Sequence, residues 1–139
     1  MLEQPPADFS GELPVTQKIE GCVLLVDDEA PVRLVAKKLL EHLGLEVIQA
    51  ADGQEAVDLY VKYHDRIECV LMDLTMPRLD GVEAIRELKR IAPDVKVILC
   101  SGFSEDDVVS RFPEWKPSGF LQKPYMFEAL AARLRAILG

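Results

Sequence analysis

The chain alternates between short apolar runs and longer stretches in which apolar residues recur at helical spacing. Cys22-Val23-Leu24-Leu25-Val26 is the first run and Glu46-Val47-Ile48-Gln49-Ala50 the second. A third opens at Glu68 and stops at Asp73, with Pro77 forbidding a simple continuation. Val95 to Cys100 is the fourth, and Phe120-Leu121-Gln122 a short fifth. Runs this short and this apolar suit strands buried on both faces. After the first, Val32, Val35, Ala36, Leu39, Leu40 and Leu43 fall on one helix face, with Pro31 in the first turn and Gly44 as the stop. Ala51-Asp52-Gly53 reads as a turn, followed by a helix from Gln54 to Tyr63. Asp80 reads as an N-cap for a helix with Val82, Ile85, Leu88 and Ile91 on one face, ending near Pro93. A short helix is predicted from Glu105 to Arg111, then an irregular segment between Pro113 and Pro117 that carries Trp115. The last helix places Phe127, Leu130, Ala131, Leu134 and Leu138 together.

Five strand–helix units in unbroken succession predict an α/β fold, a single doubly wound parallel sheet with helices on both faces. Right-handed crossovers leave few ways to wind it. Residues 1–20 differ in texture: Pro5, Pro6 and Pro14 sit among polar residues with no apolar period, which predicts a flexible linker or tail. The domain is expected over residues 21–139.

Composition narrows the function. A formal net charge of −8 argues against nucleic-acid binding and against an anionic membrane surface. No apolar run approaches the roughly 20 residues of a spanning helix, and no signal peptide is expected. Cys22, Cys69 and Cys100 lie in predicted strands without any CxxC pair, which suits reduced core thiols in a cytoplasmic protein rather than metal ligands.

The chemistry is expected where the strands end. In open parallel sheets, ligands sit outside the carboxyl ends of the strands. Those ends carry Asp27 and Asp28, Asp73, Ser101 and Lys123. Each has a bland reading alone: Asp27 or Asp28 could merely cap the first helix, Ser101 could be a loop hydroxyl, and Lys123 could be solvated. Together they converge on one crevice. Clustered carboxylates repel one another and call for a cation. Oxygen ligands without His or Cys favour Mg²⁺ or Mn²⁺ over zinc. That arrangement suits phosphoryl transfer, with Asp73 as nucleophile. His42 and His64, at helix ends, read as solvated surface histidines.

Leu25-Val26-Asp27-Asp28-Glu29, Met72 to Gly81, Ser101-Gly102 and Phe120-Leu121-Gln122-Lys123-Pro124 resemble a response-regulator receiver domain over roughly Gly21 to Leu138. The resemblance implies a flavodoxin-like strand order of 2-1-3-4-5. It implies that Asp73 accepts a phosphoryl group from a phosphohistidine on a histidine kinase or a histidine phosphotransfer protein. Asp28, Asp73 and the Thr75 carbonyl would bind the metal directly, and Asp27 mainly through water. Lys123 and Ser101 would contact phosphoryl oxygens. Phe120 would be the switch aromatic, altering a face made by the fourth helix, fifth strand and fifth helix. A cis Lys123–Pro124 peptide is also implied. Thr75 and Phe103 would flank the acceptor and govern access to it. No nucleic-acid or membrane partner is implied, and the parent chain is expected to be a hybrid sensor kinase or a stand-alone regulator. Two rivals remain: a receiver-like module that is never phosphorylated, and a Mg²⁺-dependent phosphatase with an aspartyl nucleophile. The phosphatase pattern has a second acid two residues after the nucleophile, where Thr75 stands here.

Overall fold

A computed structural model describes residues 19–74, 80–110, 116–123 and 126–138. Its elements are β1 (Cys22–Val26), α1 (Ala30–His42), β2 (Glu46–Ala50), α2 (Gly53–Tyr63), β3 (Ile67–Asp73), α3 (Asp80–Ile91), β4 (Val97–Ser101), α4 (Glu105–Val109), β5 (Gly119–Gln122) and α5 (Phe127–Leu138). The five strands form one sheet in the order β2-β1-β3-β4-β5, and every neighbouring pair is parallel. The predicted fold class and strand order both hold.

Alternation along the strands sorts the core into two layers. Leu24, Val26, Val70, Met72, Val97, Leu99 and Phe120 point to the side covered by α2, α3 and α4, where Ala56, Tyr60, Ile85, Leu88 and Val108 meet them. Val23, Leu25, Cys69, Leu71, Ile98, Cys100 and Leu121 face the other side, under Ala36 and Leu40 of α1 and Leu130, Ala131 and Leu134 of α5. Burial on both faces explains why these strands read as continuous apolar runs.

Several boundaries move. Packing begins before Gly21: Ile19 is 5% exposed, and its N–H donates to the Leu43 carbonyl at 2.7 Å. The tail therefore yields Ile19 to the core, and residues 1–18 lie outside the described residues. β4 starts at Val97 rather than Val95, although Val95 stays buried. The expected turn at Ala51-Asp52-Gly53 is one residue shorter, since α2 opens at Gly53 rather than Gln54. The Asp52 carboxylate accepts from the Glu55 N–H at 2.8 Å, and Glu55 reaches back to the Ala51 N–H at 2.7 Å. This is a reciprocal capping pair that satisfies two donors at once.

One expected face is wrong. Val32 and Val35 were grouped with the core side of α1, yet they are 40% and 59% exposed. The face that meets the sheet is Ala36 and Leu40, extended by Leu43. Helical spacing alone does not show which part of the apolar stripe the sheet covers. Asp80 opens α3, and its side chain, Arg111 and Trp115 lie outside what is described.

Two substitutions separate core from surface. Leu99→Ala, in the middle of β4, is expected to cost about 2–5 kcal/mol, read from the urea unfolding midpoint. Val35→Ala is expected to change stability by no more than about 0.5 kcal/mol. A large loss at Val35 would restore the predicted α1 face.

Candidate functional site

Backbone hydrogen bonds carry the ladder past the strand ends and set the tips beside one another. Asp27 N–H donates to Ala50 O at 3.1 Å, Leu74 N–H to Cys100 O at 2.7 Å, and Lys123 N–H to Ser101 O at 2.7 Å. The residues that follow β1, β3 and β5 are thus tied to the ends of β2 and β4, and the pairing of Val26 with Met72 sets the β1 tip beside the β3 tip. Asp27 and Asp73 are buried, each only 4% exposed, while Asp28 is exposed.

One carboxylate oxygen from each of Asp27, Asp28 and Asp73 lies within 4.8 Å of the others. Lys123, half-buried, places its Nζ 3.1 Å from Asp73 Oδ2 and 3.7 Å from Asp27 Oδ2. The ammonium therefore bridges the two buried acids. Ser101 is fully buried, and its Oγ accepts from the Phe103 N–H at 3.0 Å, which leaves the hydroxyl proton to be donated elsewhere. Phe103 itself is half-exposed at the mouth of this loop.

The electrostatics follow from burial. Desolvation pushes the Asp27 carboxyl above its ordinary range, and the Asp73 and Asp28 charges add to this. The Glu29 N–H, donating to Asp27 Oδ1 at 2.8 Å, and the Lys123 ammonium oppose it without cancelling it. For Lys123, burial works to lower the pKa. The Asp73 charge and hydrogen bond, with Asp27 behind them, win and raise it. Burial also raises the Cys69 and Cys100 thiols, each to about 12, which removes them from nucleophilic chemistry at neutral pH.

The donor set fits a hard divalent cation. All three groups are carboxylates, and neighbouring ligands on an octahedral Mg²⁺ lie about 3 Å apart, opposite ones about 4.2 Å. Modest side-chain rotation closes 4.8 Å to those separations. Asp27 is not the N-cap of α1. That position belongs to Glu29, and no side chain caps the helix.

A sequence model described as the response regulator receiver domain matches residues 23–135. The chain belongs to the response regulator receiver domain family. It is 32% identical to the sensor kinase CckA of Brucella abortus over 146 aligned residues, which cover 99% of this chain and 15% of that protein. It is 36% identical to the chemotaxis protein CheY of Thermotoga maritima, over 74% of this chain and 85% of that one. A solved structure of CheY from Borrelia burgdorferi in complex with CheX, BeF₃ and Mg²⁺ superposes with a TM-score of 0.78 at 26% identity, covering 86% of this chain and 90% of that one. The receiver domain thus spans a small part of the sensor kinase it matches, about half the length of the transcriptional regulators that also match, and most of CheY.

Within the receiver domain, Asp27, Asp28, Asp73 and Lys123 come together as anticipated, and Ser101 joins them through the Lys123 backbone. Phe120 stands apart from the charges, buried in the same apolar layer as Val108 of α4. A groove of about 480 Å³ opens beside it, lined by Glu105, Asp106, Lys116 and Arg133 among others. Thr75, the expected backbone ligand, and Pro124, on which the cis peptide rests, lie outside the described residues. His64 is exposed, with Nδ1 3.1 Å from the Val61 carbonyl, and His42 is exposed with its ring tilted against Phe127. Among the described residues, no helix is long and apolar enough to cross a membrane.

Arg33, given no role in the sequence motifs, and the Glu29 amide both hold Asp27. A signal existed for Arg33. A cation in the first turn of a helix opposes the helix dipole, so it needs another partner.

The raised Asp27 pKa gives a testable pH dependence. The folded protein holds that proton more tightly than the unfolded chain, so this contribution to stability falls as pH rises through the native pKa. In metal-free protein, Asp27→Asn is therefore expected to melt higher than the parent at pH 7. The gain should shrink as pH falls toward about 4, where unfolded carboxylates also protonate. A lower melting temperature at pH 7 would show that the Lys123 pair outweighs burial.

Proposed function

We propose that this receiver domain is the phospho-accepting element of a two-component phosphorelay. The observation that carries the reading is the Asp73 carboxylate, buried at the tip of β3 with the Lys123 ammonium 3.1 Å away and two further acids alongside. A buried carboxylate held by a lysine and surrounded by Mg²⁺-type ligands is suited to attack phosphorus rather than to cap a helix.

In this mechanism a carboxylate oxygen of Asp73 attacks the phosphorus of a phosphohistidine. The donor is a histidine kinase or a histidine phosphotransfer protein. The new P–O bond forms as the P–N bond breaks, and the imidazole nitrogen leaves with the electron pair and takes a proton from water. Asp28 and Asp73 would hold Mg²⁺ or Mn²⁺, joined in the family resemblance by the Thr75 carbonyl, and Asp27 would act through a bound water. When bound, the ion neutralises charge on the phosphoryl oxygens. Lys123 turns from the acids to a phosphoryl oxygen, and Ser101 donates its hydroxyl proton to another. Magnesium and BeF₃ in the related Borrelia CheY complex support this assignment.

The domain acts on no separate substrate; it catalyses its own phosphorylation and dephosphorylation, in the cytoplasm. Ser101 and Phe120 form the switch. Both lie on strands whose register pairs Leu99 with Phe120 and Ser101 with Gln122. Moving Ser101 toward a phosphoryl oxygen biases Phe120 and the α4–β5–α5 face between two states. A hybrid sensor kinase is the favoured parent, supported by the match to CckA along 99% of the chain.

Incubation with acetyl phosphate and Mg²⁺ is expected to add one base-labile phosphoryl group, measured by intact mass, and Asp73→Asn to abolish it. Unchanged stoichiometry in that variant would place the acceptor elsewhere. In direct Mg²⁺ titrations, Asp28→Ala is expected to weaken binding more than Asp27→Ala, since both Asp27 oxygens already have protein partners in Glu29 and Lys123. Equal losses would contradict the division between direct and water-mediated ligands.

A further inference from the structure

Arg33 lies in the first turn of α1, six residues beyond Asp27 and outside the charged cluster. Its backbone N–H makes the first bond of the helix, to Glu29 O at 2.9 Å. Its side chain turns back toward the site. Nη1 donates to the Asp27 carbonyl at 2.5 Å, and Nε faces Gln49 Oε1 at 3.4 Å. The guanidinium therefore ties the α1 terminus to the ends of β1 and β2.

The atom it grips matters. The carbonyl of Asp27 belongs to the planar peptide unit that joins Asp27 to Asp28. Every other handle on Asp27 is also taken. Its N–H bonds Ala50 O, its Oδ1 accepts from Glu29 N–H, and its Oδ2 faces Lys123. Asp28, exposed to solvent, contributes to the cluster from the far side of that peptide. Its carboxylate direction depends on how the plane is turned.

We propose that Arg33 is a positioning residue for the acidic pair: by holding the peptide carbonyl between Asp27 and Asp28, it sets the direction in which Asp28 is presented to a divalent cation. This rests on the reading of the acidic cluster as a cation site. Cost and placement agree with it. A cation at a helix N-terminus opposes the dipole and also lies near a cluster that is to bind another cation. Arginine suits the task because its planar fork reaches two acceptors in a fixed geometry.

These two influences have opposite signs, which makes the test decisive. As a mere positive neighbour, Arg33 repels Mg²⁺, and its removal tightens binding. As a positioning residue, its removal weakens binding. The experiment is a titration of the whole metal-free chain with Mg²⁺, followed by amide shifts of Asp27, Asp28 and Asp73. Arg33→Ala is expected to raise the Kd about tenfold, the range seen when a group orienting a metal ligand is lost. Arg33→Lys should recover part of it, because an ammonium can donate to the carbonyl but cannot span both acceptors. Lys37→Ala removes a charge one turn away, where Lys37 pairs with Glu41, and should leave the Kd within about twofold of the parent. Before metal is added, the Asp28 amide nitrogen should shift in Arg33→Ala and stay in place in Lys37→Ala. A Kd unchanged or lowered in Arg33→Ala overturns the proposal. If that variant does not fold, Arg33→Gln replaces it with the same two outcomes. Asp28→Ala in the same titration separates the two readings. Loss of binding there with parental binding in the Arg33 variant rejects only the role of Arg33. A parent that binds no Mg²⁺ rejects the cation site and the proposal with it.

Discussion

Two buried carboxylates share one ammonium, and most of the arrangement at this edge of the sheet depends on that. Asp27 and Asp73 are each nearly closed to solvent, and ionised carboxylates in such places repel one another and lose hydration. Lys123 sits between them and supplies the only positive charge within ion-pair distance of both among the described residues. Its position is not left to a flexible loop. The Lys123 amide is bonded to the Ser101 carbonyl, so the β4–β5 ladder carries the cation to the acids. The same ladder logic holds Asp27 through Ala50 and the end of β3 through Leu74 and Cys100. Sheet order and site chemistry are therefore one constraint: exchanging β1 or β5 for another neighbour would separate the charges.

Much of the fold was legible because each strand is buried on both sides. Val23, Leu24, Leu25 and Val26 form an unbroken apolar run, and Val70, Leu71 and Met72 another, so strand identity needed no alternation. What stayed hidden depended on where an element ends against its neighbours. Val32 and Val35 are expected on the core face of α1 yet stay exposed, and no local pattern encodes where the helix meets its cover. Ile19 lies in linker-like sequence, but its amide finds Leu43, a partner 24 residues away. Asp52 and Glu55 show the opposite case: a local capping pair, three residues apart, lies at the expected turn and is visible in the sequence itself.

The site was legible at the level of residue types and only partly at the level of contacts. Parallel topology alone puts Asp27, Asp73, Ser101 and Lys123 on one edge. It does not say that Lys123 bridges two acids, that Ser101 accepts from the Phe103 amide, or that Arg33 returns to the Asp27 carbonyl. Those are distances between side chains and distant backbone atoms, and a linear pattern of polarity carries no such information. Phe120 illustrates the limit from the other side. Its role in a switch is implied by the family resemblance, whereas its surroundings are those of an ordinary core aromatic in the same layer as Val108.

The three cysteines have a practical meaning for anyone who wishes to watch this domain move. Cys22, Cys69 and Cys100 are each buried, and burial raises the thiol pKa of all three. Thiolate is the species that reacts with maleimides and iodoacetamides, so burial and a raised pKa both slow these three thiols toward such reagents. One cysteine introduced on the exposed side of α4 or α5 then becomes the favoured labelling position. A fluorophore or spin label then reports on the α4–β5–α5 face with no core residue replaced.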